Sequence, residues 1–197
     1  MPARKPATRT TRAPRVSRDD GAELLIAAAL DLARSMPIAK VTVREIASAA
    51  GLQTMHVKRY FDSRNGLLLA VSNRLMERIV AAVSDRPLDR MFTFLQGNAD
   101  VELRLRIVSH LLNEGVSAGA FANDRQVYRR VAERIATVNN VGMRTARTYA
   151  LVIQMVLQGS TLMGGVNGMS ARERKDVFGL LVALGTQLSP AESLLDW

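Results

Sequence analysis

The segment 43–62, VREIASAAGLQTMHVKRYFD, constrains the fold of this chain more than any other part of it. Ala47, Gly51 and Val57 have the spacing of a helix-turn-helix, in which two short helices cross at a steep angle. Such helices need a small side chain where they touch and a residue that tolerates positive φ in the turn. They also need a branched apolar side chain that holds the second helix against the first. The three residues meet these needs in that order, so the spacing predicts two packed helices joined at Gly51.

The second helix of this pair is predicted to present a polar and basic outer face. The side chains left outside the apolar seam are Gln53, Thr54, Met55, His56, Lys58 and Arg59. An exposed helix of this composition can enter the major groove of DNA and contact base edges and phosphates. The alternative interpretation of the segment is an ordinary helical hairpin with a solvated face.

Apolar residues recur with helical periodicity over almost the whole chain, so the predicted fold class is all-α, with nine helices. Capping boxes are predicted at Asp20–Glu23, Thr42–Glu45 and Ser170–Glu173, and Ser63 is predicted to cap a long fourth helix. The third, fifth, sixth, seventh, eighth and ninth helices are predicted at about 53–59, 87–97, 101–115, 124–138, 143–166 and 171–188.

The net charge of +9 is concentrated at the amino end. Residues 1–18 contain six basic side chains, three prolines and no acid, which predicts a disordered basic arm. Such an arm is either a solvated end or a segment laid along a DNA duplex or in its minor groove. No apolar segment follows these charges, so the arm is not a signal peptide.

Several classes of function are disfavoured by what the sequence lacks. The 197 residues include no cysteine, which excludes thiolate chemistry and disulfides and fits a cytoplasmic protein. The uncharged stretch 148–171 is long enough to cross a membrane, but its glycines, glutamines and asparagine favour a helix buried between subunits. His110 has no partner with metal-ligand spacing, and no catalytic motif stands out. We therefore predict no enzyme, no cofactor, no metal and no membrane association.

The region 20–71 resembles the tetracycline-repressor (TetR) family. The resemblance rests on Thr42-Val-Arg-Glu-Ile-Ala, on Ala50-Gly-Leu, and on Tyr60-Phe-Asp-Ser-Arg-Asn-Gly-Leu-Leu. It implies a basic arm over 1–18, a helix-turn-helix DNA-binding domain over 19–66, and a ligand-binding and dimerisation domain over 67–197. It also implies a ligand-responsive repressor that binds a palindromic operator as a homodimer.

The resemblance assigns roles to individual side chains of the DNA-binding domain. At the second helix, Thr42 would contact phosphate and Arg44 a base edge. Thr54, Met55 and His56 would read bases, beside Gln53 at the start of the third helix. Lys58, Arg59 and Tyr60 would contact the DNA backbone, and Arg64 would contact phosphate from the start of the fourth helix. Lys58 stands where the family usually has tyrosine, and Gln53 where it usually has a small cap.

The resemblance also implies a dimer through the eighth and ninth helices, which would set the two reading helices roughly 34 Å apart. A pocket for an unknown small-molecule effector would lie among the fourth to eighth helices. Its candidate lining is Met91, Phe92, Phe94, His110, Asn113, Tyr128, Gln154 and Gln158. The alternatives are an activator or nucleoid-organising DNA binder on the same scaffold, and a helical adaptor or enzyme that does not bind DNA.

Overall fold

A computed structural model describes residues 17–164, 166–185 and 187 of the chain. Within these ranges the predicted all-α fold and its nine helices are confirmed, and two short 3₁₀ turns join them at Ile38–Lys40 and Ala118–Phe121. The helices are α1 (Arg18–Ser35), α2 (Val43–Ala49), α3 (Thr54–Phe61), α4 (Arg64–Val83), α5 (Leu88–Leu95), α6 (Ala99–Asn113), α7 (Ala122–Asn139), α8 (Met143–Met163) and α9 (Ala171–Gly185).

Two of the three predicted capping boxes are confirmed. The Thr42 hydroxyl accepts from the Glu45 amide at 3.2 Å, and the Glu45 carboxylate accepts from the Thr42 amide at 2.9 Å. The same pair of bonds links Ser170 to Glu173 at the start of α9. Each box satisfies amide groups that the first turn of a helix leaves without partners.

The box predicted at Asp20–Glu23 is wrong. Helix α1 begins three residues earlier, because the Ser17 hydroxyl accepts from the Asp20 amide at 3.1 Å. The Asp20 carboxylate in turn accepts from that hydroxyl at 2.7 Å, so Asp20 lies inside the first turn and does not cap it. An acidic side chain there is also favoured by the helix dipole.

Several predicted boundaries also differ from the structure. Helix α3 continues to Phe61, α8 ends at Met163 and not near 166, and α9 ends at Gly185. Position 188, the predicted end of the ninth helix, lies outside the described residues, as does the predicted basic arm up to residue 16. Among the described helices, none has the length and hydropathy that a membrane crossing needs.

The first hydrophobic core joins the amino-terminal helices to α6. Leu25, Ile46, Val57 and Leu67, from α1, α2, α3 and α4, are essentially inaccessible to solvent, and Leu103 of α6 packs with them. This core therefore includes residues from both sides of the domain boundary predicted at position 66. The amino-terminal helices and α6 pack as one unit around α4.

A second core lies between α5, α7 and α8. It is built on Met91 and Phe92 of α5, Ile135 of α7, and Tyr149 and Ile153 of α8. The carboxy-terminal half of α4 reaches this core through Val83. Helix α4 is thus shared between the two cores.

Candidate nucleic-acid interface

The turn between α2 and α3 has the geometry that the sequence predicts. Gly51 adopts φ of +65°, and the Leu52 amide donates to the Ala47 carbonyl at 2.9 Å, closing the turn. Ile46 is fully buried and Val57 is 1% exposed, so α2 and α3 are held together by the expected apolar seam. This seam fixes which face of α3 points outward.

The outer face of α3 carries the side chains predicted to read DNA. Thr54, Lys58 and Arg59 are exposed, and Met55 keeps 60% of its accessible surface. His56 is half-buried, and its Nδ1 lies 3.2 Å from the Gln53 carbonyl oxygen. The exposed face therefore combines two cations, a hydroxyl and a flexible apolar side chain on one short helix.

Gln53 stands at the N-cap of α3, and its side chain makes no capping hydrogen bond. The side-chain amide of Gln53 is exposed, so α3 begins without the small hydrogen-bonding cap that most helices have. The His56 amide donates to the Gln53 carbonyl at 3.0 Å, so a backbone hydrogen bond closes this first turn where a side-chain cap is absent.

Tyr60 occupies a different environment from its neighbours on α3. It is half-buried, and its ring packs against Gly21 of α1, where a Cβ atom would lie 2.9 Å from the Tyr60 ring. The Arg59 guanidinium lies 6.0 Å from the centre of the Tyr60 ring. Tyr60 thus helps to hold α3 against α1, with its hydroxyl edge also directed at Gly21.

At the start of α2, Arg44 is exposed while the Thr42 side chain is engaged within the protein. The Thr42 hydroxyl donates to the Glu45 carboxylate at 2.8 Å. Two hydrogen bonds lower the pKa of Glu45 below its ordinary value: the bond from the Thr42 amide has the larger effect, and the bond from the Thr42 hydroxyl has the smaller one. A phosphate contact by the Thr42 hydroxyl would therefore compete with the capping box.

Arg64 does not point toward the predicted DNA surface. Its Nε donates to the Val41 carbonyl at 2.6 Å, one terminal nitrogen donates to the Ile38 carbonyl, and the other lies 3.1 Å from His110 Nε2. The guanidinium therefore ties α4 to the 3₁₀ turn before α2 and to α6. This geometry gives no support to the predicted phosphate contact, because every nitrogen of the side chain already has an internal partner.

Comparison with known proteins finds a family and several proteins that are similar to this helix-turn-helix. Residues 25–71 match the family described as bacterial regulatory proteins, tetR family. The helix-turn-helix segment is therefore similar to that of this family. Two curated relatives match a wider region: the HTH-type transcriptional regulator BetI of Escherichia coli strains S88 and UTI89 is 30% identical over 96 residues. The match covers 49% of this chain and 47% of each relative, so the chain spans about half the length of the curated relatives it matches.

The likeness in fold to solved structures extends well beyond this segment. A transcriptional regulator from Rhodococcus sp. Rha1 superposes with a TM-score of 0.67 over 84% of this chain and 96% of that one, at 17% identity. A tetR-family transcriptional regulator from Streptomyces coelicolor superposes with a TM-score of 0.66 over 90% of this chain and 84% of that one, at 20% identity. At these identities the likeness concerns the fold.

A cavity of about 180 Å³ lies between α4, α5, α6, α7 and α8. Five of the eight predicted lining residues border it: Met91, Phe92, Tyr128, Gln154 and Gln158. The other three do not. Phe94 lies under the Arg86 guanidinium at 4.4 Å, His110 contacts Arg64, and Asn113 is exposed at the end of α6.

The sequence analysis missed the two charged residues of the cavity wall. Arg104 and Asp124 form an ion pair of 2.5 Å, with the Arg104 side chain 8% exposed and that of Asp124 25% exposed. A signal was available, because Arg104 lies between Val101 and Val108 on the apolar face of α6. A cation in the middle of an apolar stripe indicates a buried partner or a ligand.

Helices α8 and α9 expose an unusual amount of apolar surface. Met155 keeps 65% and Leu180 63% of their accessible surface. Further exposed apolar side chains on these two helices are Leu151, Val152, Leu162, Met163 and Leu184. Apolar surface grouped in this way on adjacent helices typically marks an interaction site.

Proposed function

We propose that this chain is a transcriptional regulator that binds DNA through α3 as a homodimer and represses by occupying a near-palindromic operator. The observation that carries the proposal is the exposed face of α3, where Lys58 and Arg59 stand beside Thr54 and Met55 while Val57 anchors the helix. The match of residues 25–71 to the tetR family supports it, as does the published name of the BetI relatives, which describes transcriptional regulation.

The basic side chains are expected to divide into two roles. Arg44 is exposed at the start of α2 and can reach a base edge, where a bidentate contact to guanine favours one sequence. Lys58 is a compact charge that neutralises phosphate regardless of sequence. The first contact contributes specificity, and the second contributes affinity that declines as salt is added.

A salt titration of DNA binding tests this division, using operator fragments selected from genomic DNA. We expect Arg44→Ala to relax the sequence preference, and Lys58→Ala to weaken all sequences alike while reducing the salt slope by about one. Arg125→Ala removes the same charge from the exposed side of α7 and serves as the matched control. If Arg125→Ala weakens binding as much as Lys58→Ala, the protein does not read DNA through α3.

For the dimer we propose a second copy of the chain on the exposed faces of α8 and α9. An isologous contact requires one self-complementary surface, and the uncharged stretch of α8 supplies it without repulsion between like charges. Two copies joined there would present two reading helices to successive turns of one face of the duplex.

Two methionines of similar exposure allow a matched test of the dimer. Met155 of α8 is 65% exposed and Met55 of α3 is 60% exposed. We expect Met155→Asp to produce a monomer in analytical ultracentrifugation, and Met55→Asp to remain dimeric while losing affinity for DNA. A wild-type protein that sediments as a monomer at micromolar concentration would contradict the dimer.

We further propose that a small molecule in the cavity controls DNA binding. The support for this is the position of the cavity against the second half of α4, whose first half packs in the DNA-binding core. A ligand that fits only one arrangement of α4 shifts the protein toward that arrangement. Loss of operator binding when a compound raises the melting temperature would be the expected result.

A further inference from the structure

The wall of the cavity between α4 and α8 is mostly apolar, and Arg104 and Asp124 are its two charged residues. Its wall includes Met76, Ile79, Val80, Leu105 and Ile153, among other aliphatic side chains. At about 180 Å³ it exceeds the roughly 150 Å³ of an apolar cavity that holds benzene. The cavity therefore suits a ligand whose apolar part is a short chain or a single ring.

Arg104 is the cation of the cavity wall. Its Nε donates to the Ser72 carbonyl of α4 at 3.3 Å, and one terminal nitrogen donates to the Asp124 carboxylate at 2.5 Å. A guanidinium has five N–H donors, so these two bonds leave donors of the same planar group available to a ligand. Beside it, the buried Ser72 hydroxyl has no partner among the described residues.

The two charges of this pair differ in how readily each can lose its partner. The Arg104 side chain is 8% exposed, whereas the Asp124 side chain is 25% exposed. Asp124 also lies in the first turn of α7, where the helix dipole favours a carboxylate. Asp124 can therefore turn toward solvent, but Arg104 must keep an anionic partner inside the protein.

This asymmetry selects the charge of the ligand. A cation that took Asp124 would strand the Arg104 charge in an apolar wall, which is strongly unfavourable. A carboxylate that took Arg104 would release Asp124 to water and replace one ion pair with another. A carboxylate also matches the planar fork of a guanidinium, with which it forms two parallel hydrogen bonds.

The other polar groups of the wall add no charge. Burial, opposed by the Arg147 charge, raises the pKa of Tyr128 to about 12, and its hydroxyl donates to the Arg147 carbonyl at 3.1 Å. Gln154 and Gln158 contribute neutral amides on successive turns of α8. Arg104 is thus the single uncompensated attraction for an anion once Asp124 has turned away.

We propose that the cavity binds a small apolar monocarboxylic acid, whose carboxylate displaces Asp124 from Arg104. The ligand class is a short-chain or single-ring acid, with its apolar part against α4, α5 and α8. The control of DNA binding by this acid rests on the proposed function, whereas the binding of the acid to the cavity does not.

Arg104 also connects the ligand to the DNA-binding domain. Its hydrogen bond to the Ser72 carbonyl joins α6 to the middle of α4, and its ion pair joins α6 to α7. An acid that draws the guanidinium into the cavity changes both links at once. We therefore expect the acid to weaken operator binding.

The test compares one scaffold with three head groups: 3-phenylpropionate, 3-phenylpropan-1-ol and 3-phenylpropylamine, titrated calorimetrically into the full chain without DNA at neutral pH. Pentanoate, 1-pentanol and pentylamine provide a second, linear scaffold. We expect each acid to bind at least about tenfold more tightly than its alcohol, and the amines to bind more weakly than either. The proposal is overturned if an alcohol or amine binds as tightly as its acid, or if neither acid binds at about 1 mM.

Two variants locate the acid at this site. We expect Arg104→Gln to abolish the preference for acid over alcohol, and Asp124→Asn to strengthen acid binding about tenfold by removing the competing carboxylate. Asp31→Asn makes the same change beside Arg34, at 3.6 Å on α1, and is expected to leave acid binding unchanged. If Asp124→Asn weakens acid binding, the acid does not replace Asp124. Asp124→Asn retains a side-chain oxygen that can accept from Arg104, so this variant keeps the proposal testable if Arg104→Gln fails to fold.

DNA binding is measured separately on the same samples. A protein that binds the acid but no operator fragment would contradict the proposed function and still support the proposed ligand class. A protein that binds operator fragments but no acid would do the reverse.

Discussion

Substitution of Arg64 tests whether this side chain stabilises the fold or contacts DNA. Resemblance predicts a phosphate contact for this side chain, whereas in the structure it bonds to the carbonyls of Val41 and Ile38 and approaches His110. The two roles predict that substitution changes different measured quantities. A DNA contact affects binding and its salt dependence, and a structural contact affects the free energy of unfolding.

The expected size of the effect follows from the two carbonyl bonds. A hydrogen bond to a charged donor contributes about 1.5–3 kcal/mol, and a half-buried site belongs near the lower end of that range. We therefore expect Arg64→Ala to lower the free energy of unfolding by about 3 kcal/mol. Arg64→Lys keeps the charge but presents a single ammonium, which cannot span both carbonyls, so it should lose about half as much, roughly 1.5 kcal/mol.

Urea unfolding at one protein concentration, followed by circular dichroism, measures the free energy of unfolding. A salt titration of operator binding measures the affinity for DNA and its salt dependence. We expect both Arg64 variants to keep the wild-type salt slope under conditions in which they are folded. Lys58→Ala should show the reverse pattern, with unchanged stability and a slope lower by about one. An Arg64→Ala protein of wild-type stability whose salt slope falls by about one would refute the structural role.

Four further predictions concern the helix-turn-helix. Gly51→Ala should cost about 1 kcal/mol from φ of +65° alone, since nothing lies within 4 Å of the added methyl group, and thermal unfolding measures this. Thr42→Ala should cost about 1 kcal/mol by removing the cap of α2. The pKa of Glu45 is lowered on folding. Its contribution to the free energy of unfolding is therefore present above its ordinary pKa and is lost as the pH falls through the lowered value. We expect Glu45→Gln to remove this dependence and so to flatten the acid side of the plot of stability against pH. Val57→Ala should cost about 2 kcal/mol and weaken operator binding, since α3 loses its buried anchor.

The features that could be predicted from the sequence are those set by nearby residues. Ala47, Gly51 and Val57 fall within one turn and its flanking helices, so their spacing alone fixed the seam that the structure shows. The boxes at Thr42 and Ser170 are equally local, since each involves residues three positions apart. Periodicity was sufficient for the helices because their apolar faces repeat over many turns.

The features that escaped prediction depend on residues distant in sequence. Arg64 finds partners 23, 26 and 46 positions away, and no local pattern indicates which way such a side chain turns. Phe94 is aromatic and lies on the cavity-lining helix α5, yet it packs beneath Arg86 on the other side. The polarity of the cavity was likewise hidden, because Arg104 and Asp124 come together only when α6 packs against α7.

Helix α4 has a mechanical consequence for the molecule. Its 20 residues span about 30 Å, and no glycine or proline interrupts it after Gly66, so it has no point at which to bend. A tilt of roughly 5° about its centre displaces each end by about 1.3 Å in opposite directions. Anything that widens the space beside Val80 therefore displaces the amino-terminal part of α4 in the opposite direction. Leu67 in that part packs in the same core as Val57 of α3, so the displacement reaches α3.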